Sequence, residues 1–391
     1  MAPSRTASER PSQSPAASSP QPVATARPSA SVDPPADAGA WVRADSFEAD
    51  PGSTYVVDVA AWDRGFVAVG SSMPDKNVMA GPEMPAIWTS SDGTAWESQP
   101  VDLRVSNVSL IGIAPVDDGA AVLAIATTSD AYVEGSQPGA MRSYSWISDD
   151  GVAWDPVDFG LPADTVVTSF DHGPQGYALA ANGGVWYSTD GRNWEETLED
   201  EVVNVVAGEE GFVAIPVREA QAERAAVASA DGRSWFDADP VDGTVVSVAP
   251  INGDWLAVVQ TDDLGFTIWH SANGLEWNPV LGVDDLTGPD GPKTGRGLEY
   301  DSISGVVLAG AAGAGEAFIT LTGNHCCAQL GWNLGVYSTT DGRTWSPVAS
   351  ARHDDAGGAL VASIAVGADG TAVLGGHIGR GDDALFWIGQ R

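Results

Sequence analysis

The sequence predicts an all-β fold, a seven-bladed β-propeller with four-stranded antiparallel blades, and three observations carry that expectation. A nine-residue frame, aromatic-x-Ser-x-Asp-Gly-x-x-Trp, recurs six times. Two short strand-like runs precede each copy, and the two ends of the chain hold the halves of a seventh.

The frame occupies residues 88–96, 146–154, 186–194, 227–235, 269–277 and 337–345. Its acidic position is filled by Asp92, Asp150, Asp190, Asp231, Asn273 and Asp341, Val227 stands at the aromatic position of the fourth copy, and Thr339 replaces Ser in the last. Asp-Gly between two extended segments is a strong hairpin signature, because Gly accepts positive φ and the carboxylate accepts nearby N–H groups. The runs before each frame, such as Tyr55 to Val59 and Gly65 to Gly70, or Val202 to Val206 and Gly211 to Ile215, alternate apolar and small residues without helical periodicity. Each unit therefore contributes four strands. The closing Trp residues stand at 96, 154, 194, 235, 277 and 345, so a unit takes about 50 residues. Phe386-Trp387-Ile388 matches the strand entering a frame and Trp41-Val42-Arg43 the strand leaving one. That split predicts a ring closed by the N-terminal strand, which removes exposed sheet edges. Seven closing and five entering Trp account for 12 of the 15 in the chain, and their place is between blades rather than in a carbohydrate-stacking row.

Residues 1–39 read as a disordered linker and 40–391 as the propeller. The first forty residues hold 8 Pro, 8 Ser and 10 Ala, no Leu, Ile, Phe, Trp or Tyr, and equal numbers of acids and bases. No secretory signal is visible in them. Pro/Ser/Ala tethers of this kind commonly precede extracytoplasmic domains, so an extracellular or cell-surface location is expected, with the cytoplasm as the alternative. The net charge of −35 thus lies entirely in the propeller, which argues against nucleic acid and anionic lipid as partners. No apolar run is long enough to span a membrane, and a monomer is expected.

The repeated frame resembles the Asp-box or BNR repeat of sialidase-like propellers, also found in xyloglucan-active glycosidases, sortilin-type receptors and photosystem-assembly propellers. Most copies here, Ser-x-Asp-Gly-x-x-Trp, are one residue shorter than the family's Ser-x-Asp-x-Gly-x-x-Trp, which implies a tighter hairpin. Members that cleave sialosides carry an Arg trio, a Tyr-Glu pair, an acid Asp and an early Phe-Arg-Ile-Pro motif. That motif is absent here. Arg142, Arg218, Arg296 and the run Glu299-Tyr300-Asp301 are better read as surface Arg and a strand start. With 50 acidic residues in the propeller, some carboxylate pair at glycosidase spacing is inevitable and uninformative. Asp284, Asp285 and Asp290 fit no calcium loop, residues 288–294 only mimic a phosphate loop because Pro292 occupies a required Gly, and no metal or cofactor is expected.

Function is expected on the face opposite the boxes, where the long connections 71–85, 127–143, 282–300 and 323–334 form one arc around the closed ring. Both lysines of the chain and both cysteines lie there. Lys76, Tyr132, Arg142, Lys293, Arg296, His325 and Trp332 are the candidate binding residues, since cations are scarce in this acidic domain and Trp, Tyr and Arg dominate interface energetics. Adjacent Cys326 and Cys327 can close a vicinal disulfide in an oxidising compartment; free thiols, or a metal contact with His325, are the alternatives. The expected function is a binding or scaffolding module for a glycan or protein, without catalysis. A sialidase- or xyloglucanase-type glycoside hydrolase is the alternative.

Overall fold

The structure, a computed structural model, describes residues 41–44, 53–73, 84–103, 105, 108–128, 142–162, 165–288, 293–294, 302–325, 328–348, 359–378 and 384–389. Seven antiparallel sheets follow one another along the chain. Blade I is built from Ser53–Trp62, Gly65–Met73, Met84–Ser90 and Glu97–Gln99; blade II from Val108–Val116, Ala121–Thr128, Arg142–Ser148 and Asp155–Val157. Blade III comprises Val167–Gly173, Gly176–Ala181, Gly184–Ser188 and Glu195–Leu198, and blade IV Val202–Gly208, Gly211–Pro216, Val227–Ser229 and Phe236–Asp237. Blade V holds Thr244–Ile251, Asp254–Gln260, Phe266–Ser271 and Asn278–Gly282; blade VI Ser302–Ala309, Ala317–His325, Ala328–Thr339 and Ser346–Pro347. Blade VII takes Ala359–Val366, Ala372–Ile378 and Ala384–Gly389 from the C-terminus and Val42–Arg43 from the N-terminus. The expected closure is present: Val42 pairs with Ile388 and Arg43 with Trp387, the Ala44 N–H donates to the Phe386 carbonyl, and Trp41 packs edge-on against Phe318, ring centroids 5.1 Å apart.

Each box forms the turn from third to fourth strand, and its geometry follows from the residue types. The buried Ser148 hydroxyl accepts the Gly151 N–H at 2.8 Å and faces Asp150 Oδ1 at 3.2 Å, while that oxygen accepts the N–H groups of Val152 and Ala153. In every other copy the Asp or Asn oxygen accepts the same two N–H groups, Asn273 serving in the fifth, and Ser90, Ser188 and Thr339 likewise accept the glycine N–H. Only Gly suits the next position. Gly232 has φ +72°, and a Cβ there would lie 2.1 Å from the Tyr187 ring of the preceding blade. The entering Trp88, Trp146 and Trp387 are about fully buried, and all six closing Trp are buried or half-buried. The Trp residues therefore make the core between blades, as expected.

The first strand of every blade carries a β-bulge at one place, between Val56/Asp58, Leu110/Gly112, Val167/Ser169, Val202/Asn204, Val245/Ser247, Ile303/Gly305 and Val361/Ser363. A bulge raises the local twist and redirects side chains, and here it turns short polar groups toward the neighbouring blade. Asp58 accepts the Ile113 N–H, Ser169 the Val205 N–H, Ser247 the Leu308 N–H and Ser363 the Val59 N–H. Elsewhere Thr127 and Ser143 bond the Val167 backbone, Gln221 the Val245 backbone, Thr320 the Val361 N–H and Thr54 the Ala384 N–H. Side-chain to backbone bonds thus stitch all seven blade junctions.

Two connections differ from the sequence expectation. Segment 323–334 is not a long loop: its residues extend the hairpin of blade VI, with Thr322 opposite Asn333, Gly323 opposite Trp332 and His325 opposite Ala328. The 282–300 connection begins with a helical turn, Val283–Leu286, and then adds Lys293–Thr294 as a fifth, parallel strand beside Ser302 and Ile303.

Candidate functional site

The first strands enclose a central channel with a cavity of about 640 Å³. Its wall is mostly Val, Ile, Leu and Ala, interrupted by Asp58, Ser169, Asp171, His172, Asn204, Glu209, Ser247 and Ser363, and among the described residues no Lys or Arg lines it. Asp58 Oδ1 accepts the Ser363 hydroxyl at 2.6 Å and the Val59 N–H at 2.8 Å, and Oδ2 the Ile113 N–H at 2.9 Å. Asp171 Oδ1 accepts the His172 N–H at 2.7 Å and Oδ2 the Ala207 N–H at 2.9 Å. Burial pushes Asp58 up to about 6 despite those donors. It pushes Asp171 up to about 7, the Asp58 charge adding to the effect, and depresses His172 to about 4. Both oxygens of Asp58 and of Asp171 are therefore occupied by the fold, and Glu209 Oε1 accepts the Gly313 N–H at 3.0 Å. Glycoside hydrolysis needs one carboxylate ionised and one protonated, with oxygens free toward the sugar; here both are shifted the same way.

On the face opposite the boxes a second cavity, about 510 Å³, opens at blade II. Arg142, exposed at the start of the third strand, stands at its mouth. Tyr144 lies over Trp146, ring centroids 5.9 Å apart and 20° between planes. Leu103 and Val105 from the connection before blade II, and Phe159, Leu161 and Pro162 from the connection after it, complete the apolar walls. The site thus combines a planar cation, one carboxylate (Asp158), a stacked aromatic and aliphatic edges between two interblade connections.

Of the expected binding residues, Arg142 lines a described cavity. Lys293 commits its ammonium to its own loop: Nζ donates to the Asp284 carbonyl at 2.7 Å, to the Gly288 carbonyl and to the Thr287 hydroxyl. Asp284 in turn accepts the Thr294 N–H, and Asp285 accepts the Gly282 N–H. Among the described residues no His, Cys, Asp or Glu group is arranged to hold a metal. Trp332 and His325 sit in the extended hairpin. Lys76, Tyr132, Arg296, Cys326 and Cys327 lie outside the described residues. Tyr144, Phe159 and Leu161 were hidden within the alternation of a strand and an ordinary connection. Asp58 and Asp171 had a visible signature, a lone acid within an apolar strand run.

No protein-family model matches the chain, and no curated protein matches it. Solved structures do. YCF48, in a structure bound to a D1 peptide, is 14% identical with a TM-score of 0.52, covering 90% of this chain and 98% of that one. An ancestral GH74 enzyme is 15% identical with a TM-score of 0.54; 89% of this chain is covered, but only 50% of the enzyme. The β-propeller domain of the Trilobed protease from Pyrococcus furiosus is 12% identical, TM-score 0.50, over 86% of this chain and 96% of that one. That domain is described as having an open velcro topology, whereas here the N-terminal strand closes blade VII. At these identities the likeness is one of fold, and the class it defines is the seven-bladed β-propeller. Among the described residues no helix is long and apolar enough to cross a membrane.

Proposed function

We propose that this protein is a non-catalytic propeller of the Asp-box kind, working outside the cytoplasm as a monomeric binding or scaffolding module for a protein or glycan partner. The face opposite the boxes is the binding face, and the cleft of Arg142, Tyr144 and Trp146 is its anchor. The observation that carries this reading is that cleft: a cation and stacked aromatics beside apolar connections, in a domain otherwise strongly acidic. The likeness to YCF48, whose structure holds a D1 peptide, supports a polypeptide partner. The Pro/Ser/Ala-rich residues 1–39 support a tethered domain on the outer side of a membrane.

The likeness to a GH74 enzyme is the argument for catalysis. The absence of Lys and Arg from the channel wall among the described residues and the structural use of Asp58 and Asp171 weigh against it. The test is a screen of the full chain against immobilised glycans and peptides, repeated with Arg142→Ala and Tyr144→Ala. Selective capture that both substitutions reduce about tenfold or more is expected, since buried aromatic and Arg anchors carry most interface energy. Capture unchanged by either substitution, or lost only with Arg343→Ala on the box face, would overturn this reading.

A further inference from the structure

The repeat provides an internal comparison of the grooves between blades on the box face. Two positions are compared: the residue after the box glycine, and the residue after the closing Trp of the preceding blade. Between blades III and IV these are Arg233 and Glu195. They form an ion pair, Nε to Oε1 2.6 Å, and the Arg233 guanidinium lies 4.5 Å over the Tyr187 ring. In the next groove the same two positions are Leu275 and Phe236. An ion pair has become an apolar pair, and of the six boxes only this one also has Asn, Asn273, in place of Asp.

The consequence is an open slot of about 620 Å³ between blades IV and V. Phe212 and Trp255 are buried in it, Leu275 lies on one side, and Phe236 stands 61% exposed, the highest value among the large apolar residues described as exposed. The rim is acidic. Glu210 is exposed, and Asp254 faces His270 at 2.9 Å. Among the described residues no Lys or Arg lines the slot, in contrast to the guanidinium in the groove before it.

We propose that this slot docks a polypeptide segment of a partner that presents a bulky apolar side chain next to a Lys or Arg. The apolar group enters between Phe236 and Leu275, burying surface now in water. The cation takes the place of the missing arginine beside Glu210 and Asp254, and the −35 charge of the chain favours its approach. The chain's own first forty residues contain no Leu, Ile, Phe, Trp or Tyr and do not supply such a segment. This site is separate from the Arg142 cleft, on the opposite face, and the two stand or fall independently.

The test uses the full chain and fluorescein-labelled hexapeptides with a central Lys-X-Lys, X being Phe, Leu, Ala or Asp, read by fluorescence anisotropy. The Phe and Leu peptides are expected to bind about tenfold or more tightly than the Ala peptide, a difference the burial of one large side chain supplies. Leu275→Arg installs the residue that three sister boxes carry and is expected to abolish that preference, as is Phe236→Ser, while Arg142→Ala leaves it intact. Because the Phe236 side chain is in water, Phe236→Ser decides the matter if Leu275→Arg lowers the melting temperature. Equal binding of the Phe and Ala peptides, or a preference that survives Phe236→Ser, would overturn the proposal. So would dimerisation in sedimentation that Phe236→Ser abolishes, because the slot would then be a self-interface.

Discussion

Single residues set the tolerances of this ring. Gly232 combines a positive φ with a methyl-sized gap that the Tyr187 ring already fills. Gly232→Ala is therefore expected to cost about 2–4 kcal/mol, from left-handed strain plus overpacking, measured by denaturant unfolding. Loss below about 0.5 kcal/mol would show that the box turn relaxes freely. The channel acids make stability depend on pH. Asp58 and Asp171 have folded values of about 6 and 7, above the ordinary 3.8, so the folded state takes up their protons first and gains stability as pH falls from 7 toward 4. His172, held down at about 4, acts in the opposite sense below 6.5. Two acids against one base leave a net gain of about 3 kcal/mol between pH 7 and 4. Below about pH 4 the trend reverses. Asp150 and Asp231 are held below the usual range by the N–H groups of Ala153 and Val152, and of Ser234 and Arg233, and their protonation releases those bonds. Thermal unfolding across pH 3–8 should therefore show a maximum near pH 4–5, and Asp171→Asn should flatten its alkaline slope. A slope unchanged in that variant would assign the effect to surface charge instead.

At the scale of elements, ring closure rests on four described residues of the N-terminus. Deleting residues 1–39 leaves Val42–Arg43 paired with Ile388 and Trp387 and Trp41 against Phe318. Deleting 1–47 strips blade VII of its fourth strand and exposes the Phe318 surface. The first truncation is expected to keep the melting temperature, and the second to lower it by about 10 °C or more; equal values would contradict closure. The blades were legible in the sequence because Asp-Gly turns and closing Trp recur with the fold's own period. The bulges were not, since a skipped residue such as Val57 or Val246 leaves alternation looking intact over so short a run. Segment 323–334 misled for a related reason: Gly323 and Gly331 read as loop punctuation, yet the hairpin simply runs through them. The lysine at 293 was legible as a rare cation but not as a group bonded within its own loop, because its acceptors are mostly main-chain carbonyls that carry no sequence signature.

For the whole molecule, a closed ring with every blade junction bonded provides a rigid frame, and chemistry would have to be assembled on it from free side chains. In the channel Asp58 and Asp171 hold the blades together, and among the described residues no Lys or Arg lines the wall. On the proposed reading, the cleft of Arg142, Tyr144 and Trp146 holds a partner. Binding through Arg142 is therefore expected to weaken with salt, because an exposed cation meets its partner through screened solvent. The most direct measurement of this account is to incubate the full chain with a ligand captured in the glycan and peptide screen and analyse that ligand by mass spectrometry after prolonged exposure. The account predicts a ligand recovered intact, with binding reduced by Arg142→Ala and untouched by Asp171→Asn. A cleaved ligand whose cleavage stops with Asp171→Asn or Asp58→Asn would contradict it and place a catalytic centre in the channel.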